Sequence, residues 1–397
     1  MTERLYYTDA YVVEFDARIL RIEEYDGRSA AILDRTAFYP TSGGQPFDTG
    51  TLGPARVVDV VDRDDGVILH ILERAIEPGP AHGRVDWERR FDHMQQHTGQ
   101  HVLSAAFDRL LQARTESFHL GSTGSTIDLA REVTAADISQ VEEEANRIVW
   151  QERPVHIRFA DAAEAAAMPL RKDSARTGTL RLVDIEGCDL SACGGTHVAR
   201  TGAIGVIAVT SWERFRGGTR VEFVCGARAL RSHRALRDVV AASVRVLSVL
   251  PAELAAGIER LQVDAKDMRR EIKALQGRLA GHEASALAAR GTRTGDVHVI
   301  IEALEGWDAG GLKNIAAAIV TQPGQIAVLF STLAPGAIVA ARSADVAIDC
   351  GALLRRLTAQ FGGKGGGRPE LAQGGGLQGS ATAIADFVKQ TIREHHL

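Results

Sequence analysis

The order of apolar and polar positions divides the chain into four stretches. Over residues 1–88, "AYVVEFDARILRIEEYDGRSAAILD" alternates apolar and polar residues in places. Turn signals such as the Asp-Gly pair at 26–27 interrupt it, as expected of strands joined by tight turns. Gly, Pro and Asp residues then punctuate short strands as far as "VILHIL", so a small β-barrel is expected. Beyond residue 88 the period changes. A helix is expected from near Asp92 through "HMQQHTGQHVLSAAFDRLLQA", followed by a strand pair around "ESFHLGSTGSTIDLA". In "DISQVEEEANRIVWQE", Ile138, Val141, Ala145, Ile148 and Val149 recur at helical spacing. "RPVHIRFAD", "LRLVDIEG" and "GAIGVIAVTSWERFRGGTRVEFVCG" read as strands, and a helix from about Ala227 closes an α+β domain spanning 89–245.

Residues 246–291 carry a heptad-like seam of Leu254, Ile258, Leu261, Ala265, Met268, Ile272, Leu275 and Leu279, spaced four and three apart in turn. Two readings stand: a helical hairpin within one chain, or a coiled-coil seam between two copies. From 292 to 397, strand-like and helix-like segments alternate, as in a small α/β domain. This last stretch contains "GGKGGGRPELAQGGGLQG" at 362–379. Composition alone would make it a flexible linker, but the charged and apolar residues between its glycine runs favour a functional loop. The expected fold is therefore a multidomain α+β chain: N-terminal barrel, α+β domain, helical segment and C-terminal α/β domain.

Composition narrows the class. With 45% hydrophobic and 24% charged residues among 397, the chain is an ordinary globular protein of two or three domains. A net charge of −5 argues against a non-specific nucleic-acid coat, though not against a local basic face. Four cysteines in a chain this long make no disulfide framework, which points to a reducing cytoplasm. The N-terminus lacks a signal-peptide apolar stretch, and no apolar run reaches membrane-spanning length, so no membrane partner is expected.

The candidate chemistry begins at His97 and His101, one helical turn apart. They could be a polar helix face, which His93 would extend, or half of a metal site. Gly99 between them costs helix stability, which a close approach of substrate or backbone would explain. A second pair, Cys193 and His197, lies in "CGGTH", whose glycines permit a tight turn. Together they make a Cys plus three His set, a common zinc environment, with Cys188 as an alternative ligand or a bystander. Asp92, Gln100 and Asp189 are candidates to orient the ligands. Four protein ligands normally close a structural site, whereas a catalytic zinc keeps a position open; water activation, substrate anchoring and fold stabilisation all stay open here. Residues 211–237 include Arg214, Arg216, Arg220, Arg228, Arg231, Arg234 and Arg237 against Glu213 and Glu222, either a phosphate-binding face or a solvated one. Lys364 and Arg368 in the glycine-rich stretch are further phosphate candidates.

These motifs carry a resemblance. "HTGQH" and "SACGGTHVARTGAIG" resemble the HxxxH and CxxxH segments of the editing domain of alanyl-tRNA synthetases and of free-standing AlaX proteins. "LDRTAFYPTSGGQPFDTG" at 33–50 is similar to the SGGQ motif of that family's N-terminal barrel, and "GGGRPELAQGGG" at 365–376 to the DHH-associated C-terminal domain of the synthetases. The motifs fall in family order across nearly the whole chain, and no aminoacylation core precedes the barrel. The resemblance thus implies a long-form trans-editing hydrolase that deacylates Ser-tRNA(Ala), and Gly-tRNA(Ala) as a second substrate, without charging tRNA. It implies zinc on His97, His101, Cys193 and His197, with Gln45, His97 and His101 as catalytic residues. It also brings the expectations of nucleotide and ATP binding, and of a homodimer through the C-terminal domain or the coiled-coil-like segment.

An activated ester needs little acid-base machinery; a positioned water and an electropositive centre suffice. A pocket that hydrogen-bonds the serine hydroxyl would reject alanine. Gln45 is the foremost pocket candidate, with Ser117, His119, Thr126 and Asp128 from the strand pair, and Thr41 and Ser42, whose plainer role is turn chemistry. The alternative is a non-catalytic tRNA-binding protein with structural zinc. A zinc peptidase or deaminase is disfavoured because HExxH, and H-x-E with P-C-x-x-C, are missing. A phosphoesterase is disfavoured because no upstream DHH-type ligand cluster is present.

Overall fold

The computed structural model describes residues 2–171, 178–332 and 336–394, which divide into two units meeting between Ala242 and Ser243. Unit 1 opens with a closed six-stranded barrel. Its strands are β1 (Glu14–Tyr25), β2 (Arg28–Leu33), β3 (Gly50–Leu52), β4 (Ala55–Asp62), β5 (Ile68–Leu72) and β6 (Gly79–Val85), in the order β1-β2-β5-β4-β3-β6. The alternation read from sequence sets the inside: Phe15, Ala17 and Ile19 of β1 join Leu33, Phe38 and Val57 in the barrel core. Between β2 and β3, the Ser42–Gln45 segment is a two-residue turn closed by paired backbone bonds of 2.9 and 3.1 Å. Gly43 and Gly44 occupy its centre at φ +55° and +85°, a conformation that side chains disfavour.

Helix α1 (Trp87–Leu111) follows. It starts five residues before the expected Asp92, because Asp86 ends the barrel strand with its carboxylate tied to Thr49 and Arg56. Arg90 anchors the helix to the barrel. It is fully buried, pairs with the equally buried Asp48, and donates to the carbonyls of Ala10 and Ala37. Around α1 lie β7 (Thr115–Leu120), β8 (Ser125–Leu129), α2 (Ala135–Trp150), β9 (Val155–Ala160), β10 (Leu180–Ile185), β11 (Asp189–Ala192), β12 (Ile207–Phe215) and β13 (Gly218–Cys225). They form a four-stranded sheet, β12-β13-β8-β7, and a three-stranded sheet, β9-β10-β11. The core of this half packs Val102, Leu103 and Phe107 of α1 against Val141, Ala145 and Ile148 of α2 and against Ile127 and Phe223 of the sheet.

Helix α3 (Gly226–Leu247) runs across the unit boundary, and α4 (Leu254–Ala288) belongs to unit 2. Unit 2 continues with β14 (Thr292–Thr294), β15 (Val297–Leu304), α5 (Ala309–Ile319), β16 (Gln325–Ser331), β17 (Ala337–Arg342), α6 (Cys350–Phe361), β18 (Lys364–Arg368), β19 (Leu371–Gly375) and α7 (Ala381–Glu394). Its six strands form one sheet, β14-β15-β16-β17-β19-β18, in which only the β15–β16 pair is parallel. The end of α4 and α5 cover one face, and α6 and α7 the other. The glycine-rich stretch is not a loop: β18 and β19 form an antiparallel hairpin at the sheet edge. Glycine is required there because a Cβ on Gly365 would come within 2.7 Å of Leu354 on α6 and 2.8 Å of the facing Gly374 backbone. On α4 the heptad residues Leu261, Met268, Ile272, Leu275 and Leu279 are each more than half exposed. No single helix among the described residues is long and apolar enough to cross a membrane.

A candidate metal centre on the central helix

Helix α1 has a polar sequence, yet every residue from His93 to Phe107 is buried. That arrangement holds because most of the polar side chains find a partner, on a neighbouring element or within the helix. Gln96 donates to the Cys225 carbonyl and accepts from its amide, at 3.0 and 2.8 Å, and Gln95 donates to the Ala203 carbonyl. The histidines are therefore not a solvated stripe. Gly99 is explained differently from the sequence reading. The space over it is taken by side chains: an added Cβ would collide with the Cys225 thiol and touch Ile204.

The structure brings His97, His101, Cys193 and His197 together, with all four potential donor atoms within 4.8 Å of one another. Cys193 and His197 come from the "CGGTH" turn after β11. Gly195 in that turn lets it lie against α1, since a Cβ there would collide with the His97 ring. The Nδ1 of each imidazole is held from outside the cluster. His97 Nδ1 donates to Gln45 Oε1 at 2.8 Å, and His101 Nδ1 donates to Asp189 Oδ2 at 2.6 Å. His197 Nδ1 donates to Thr98 Oγ1 at 3.2 Å, whose own proton goes to the Met94 carbonyl. In this tautomer each ring turns the Nε2 lone pair inward. Cys193 Sγ lies 3.4 Å from His97 Nε2 and 3.3 Å from His197 Nε2. A tetrahedron built on zinc–sulfur and zinc–nitrogen bonds has an S···N edge of about 3.5 Å. The donor set and its spacing fit a zinc ion.

The electrostatics point the same way. The Cys193 thiol is held well below its ordinary range, because His97 and His197 outweigh the effect of burial. Burial opposes a charge on His101, but its bonds to Asp189 and Cys193 hold it up at about 9. Asp189 overcomes its own burial through His101 and Arg171 and is held down at about 2. Burial, with the neighbouring His97, pushes His197 down to about 3. The enclosed site thus favours a thiolate balanced by nearby positive charge, which a bound cation would supply.

The other candidates are placed as follows. Gln45 is fully buried, and its amide is committed: Oε1 accepts from His97 and from the Thr196 amide, and Nε2 donates to Thr196 Oγ1 at 2.8 Å. It thereby ties the Cys193–His197 turn to His97. Thr41 is exposed, and its hydroxyl accepts from the Phe47 amide as a turn residue. Ser42 borders a cavity beside Cys193. Ser117, His119, Thr126 and Asp128 are not at the cluster, because β7 and β8 point them to the outer face of their sheet. The inward residue between Ser117 and His119 is Phe118, whose ring lies 5.2 Å from that of His97. Asp128 is taken up by a bidentate pair with Arg220 and by the Ser117 hydroxyl. The Arg run at 211–237 is likewise offset by carboxylates remote in sequence: Arg214 pairs with Glu132, and Arg228 with Asp92. Asp92 and Gln100 therefore do not orient the ligands; Gln100 donates to Ser104. Cys188 lies outside the cluster, its thiol pushed up to about 12 by burial. Lys364 and Arg368 are exposed on the edge strand β18. Sequence reasoning missed Thr98, Thr196 and Phe118. Thr98 and Thr196 each carry a signal, lying next to His97 and His197 in the motifs themselves.

Comparison with known proteins completes the picture. The family model described as the threonyl and alanyl tRNA synthetase second additional domain matches residues 180–222, and the DHHA1 domain model matches 296–394. The chain is 31% identical to the alanyl-tRNA editing protein AlaX-L of Pyrococcus horikoshii, over 100% of this chain and 99% of that protein. It is 35% identical to the alanine–tRNA ligase of Pyrococcus furiosus, over 94% of this chain but only 42% of the ligase, so it spans about two fifths of the ligase's length. The solved C-Ala domain of Aquifex aeolicus alanyl-tRNA synthetase covers 25% of this chain and 93% of that domain at 22% identity, with a TM-score of 0.24. Nothing in the site or in these likenesses supports ATP binding.

Proposed function

The chain belongs to the family of alanyl-tRNA editing proteins, and from that premise we propose that it hydrolyses the aminoacyl ester of mischarged tRNA(Ala). Ser-tRNA(Ala) is the foremost substrate and Gly-tRNA(Ala) the second, and charging of tRNA is not part of the activity. The observation that carries the reading is the enclosed cluster of His97, His101, Cys193 and His197 in a chain similar along its whole length to an editing protein. Zinc is the proposed ion, and when bound it would supply a fixed positive charge able to orient and polarise an ester. The chain's own residues do the rest. Gln45, Asp189 and Thr98 fix the three imidazoles, and burial of all three rings keeps bulk water from the cluster. Of the polar side chains proposed to contact the acylated 3′ end, Ser42 is retained because it borders the cavity beside Cys193, and Gln45 becomes a positioning residue.

For the tRNA body, Arg216, Lys364 and Arg368 are the proposed phosphate contacts, with Arg214 and Arg220 weakened by their carboxylate partners. The uncovered α4 seam supports a homodimer. The rival reading, tRNA binding with purely structural zinc, separates cleanly. In a Cys193→Ala, His197→Ala double variant, zinc content should drop and deacylation should fall at least about a hundredfold per folded molecule. Full zinc retention, or loss of zinc with unchanged activity in the folded fraction, would refute the assignment.

A further inference from the structure

The three imidazoles of the cluster are not held alike. His97 and His197 are fixed from outside by neutral groups, Gln45 and Thr98, whereas His101 is fixed by the Asp189 carboxylate. Asp189 opens β11, the strand that leads into Cys193, and its side chain is fully buried. A buried carboxylate with an imidazole on one oxygen still needs a partner for the other.

Arg171, in the connection between β9 and β10, is that partner. Its Nε donates to Asp189 Oδ1 at 2.5 Å, while His101 Nδ1 donates to Oδ2 at 2.6 Å. The main-chain amide of Arg171 donates to the Leu190 carbonyl at 3.0 Å, so its backbone and side chain are pinned to two successive residues of β11. Its side chain is 15% exposed, not a loose surface arm. Among the described residues, no other arginine or lysine lies within ion-pair distance of Asp189. The Ser191 hydroxyl is 3.0 Å from one carboxylate oxygen and 2.9 Å from the other, so its single proton serves either. Ser191 therefore does not choose between the oxygens; the directional Nε–H of Arg171 does. It stops the carboxylate from turning about its Cβ–Cγ bond, and so sets the line along which His101 aims its Nε2.

We infer that Arg171 is a positioning residue of the metal centre, acting through Asp189 on the aim of His101 and hence on how tightly, and in what geometry, the ion is held. The inference rests on the metal assignment proposed above and not on the substrate. Its rival is a structural role, in which Arg171 does no more than neutralise a buried carboxylate. The two differ in what they require. Neutralisation needs a positive charge, which lysine also carries. Aiming needs a donor in the plane and place of Nε, which lysine lacks.

Zinc affinity of the full chain, by competition with a chromogenic chelator, and the visible spectrum of its cobalt(II)-substituted form test this. Arg171→Met should weaken zinc binding about tenfold and alter the cobalt ligand-field bands. Arg171→Lys should recover stability in denaturation but keep the altered bands. In an Asp189→Asn background, Arg171→Met should change zinc affinity no further, because the link to His101 is already cut. Should Arg171→Met fail to fold, Arg171→Lys decides. Wild-type zinc affinity and bands in Arg171→Met with stability alone reduced, full restoration of the bands by Arg171→Lys, or a further loss of affinity in the Asp189→Asn background would each overturn the inference. A wild type that takes up neither zinc nor cobalt would sink the metal assignment and this inference together. The expected zinc and cobalt results in a chain that deacylates no mischarged tRNA would sink the editing function and leave the role of Arg171 standing.

Discussion

Helices α1 and α4 invert what their sequences suggest. The first is rich in Gln, His, Thr and Ser, yet it is buried from His93 to Phe107. The second carries a regular apolar seam, yet those residues are half exposed. The difference lies in partners. On α1 most polar groups bond to the barrel, to the "CGGTH" turn or to β13, which fixes His97 and His197 to one geometry. On α4, among the described residues of its own unit, the seam is left exposed, and an apolar stripe of that length suits a second helix.

The comparison can be broken at several points. The largest effect is expected where α1 meets the barrel. Asp48→Ala leaves Arg90 buried and unpaired, and should destabilise unit 1 by about 3–5 kcal/mol in chemical denaturation. A change near zero would mean that the helix is not anchored there. Next is Gly99→Ala, expected to cost about 1–3 kcal/mol through overpacking against Cys225. Adding Cys225→Ala should recover most of that loss. Failure of the rescue would return Gly99 to the role of clearing space for a ligand.

A smaller, pH-dependent effect comes from His93, buried on α1 with Nδ1 lacking a partner. Burial, reinforced by Arg89, pushes it down to about 4. The unfolded chain takes up this proton near pH 6.5 and the folded chain near 4. Stability from neutral His93 is therefore complete above about 6.5 and is lost as pH falls toward 4, by up to about 1.4 kcal/mol per pH unit. His93→Met should flatten this slope; an unchanged slope would place the titration elsewhere. The smallest effect on folding is expected on α4. Ile272→Asp should alter the stability of a single copy by no more than about 0.5 kcal/mol. In sedimentation, however, it should convert a dimer to monomer, and an unaltered dimer would remove the seam from the interface.

How far the sequence could be read follows from the same contrast. The pair His97 and His101 was legible because four residues make one helical turn, and "CGGTH" because two ligand types flank two glycines. The barrel was legible from alternation, as in Phe15, Ala17 and Ile19. Contacts across long sequence separations were not. Asp128 lies 92 residues from Arg220, so the basic run looked unopposed. Ser117 and His119 were chosen for their polarity, but the strand period sends them outward and Phe118 inward. Lys364–Arg368 looked like a loop because glycine depresses strand propensity, and only the close approach of α6 explains why glycine is needed in that hairpin.

The central claim is that the cluster on α1 serves hydrolysis of mischarged tRNA. The most direct measurement offers the zinc-loaded full chain Ser-tRNA(Ala), Gly-tRNA(Ala) and Ala-tRNA(Ala), and follows release of each amino acid. Rapid release of serine, slower release of glycine and sparing of alanine is the predicted result. No hydrolysis of either mischarged species would contradict it.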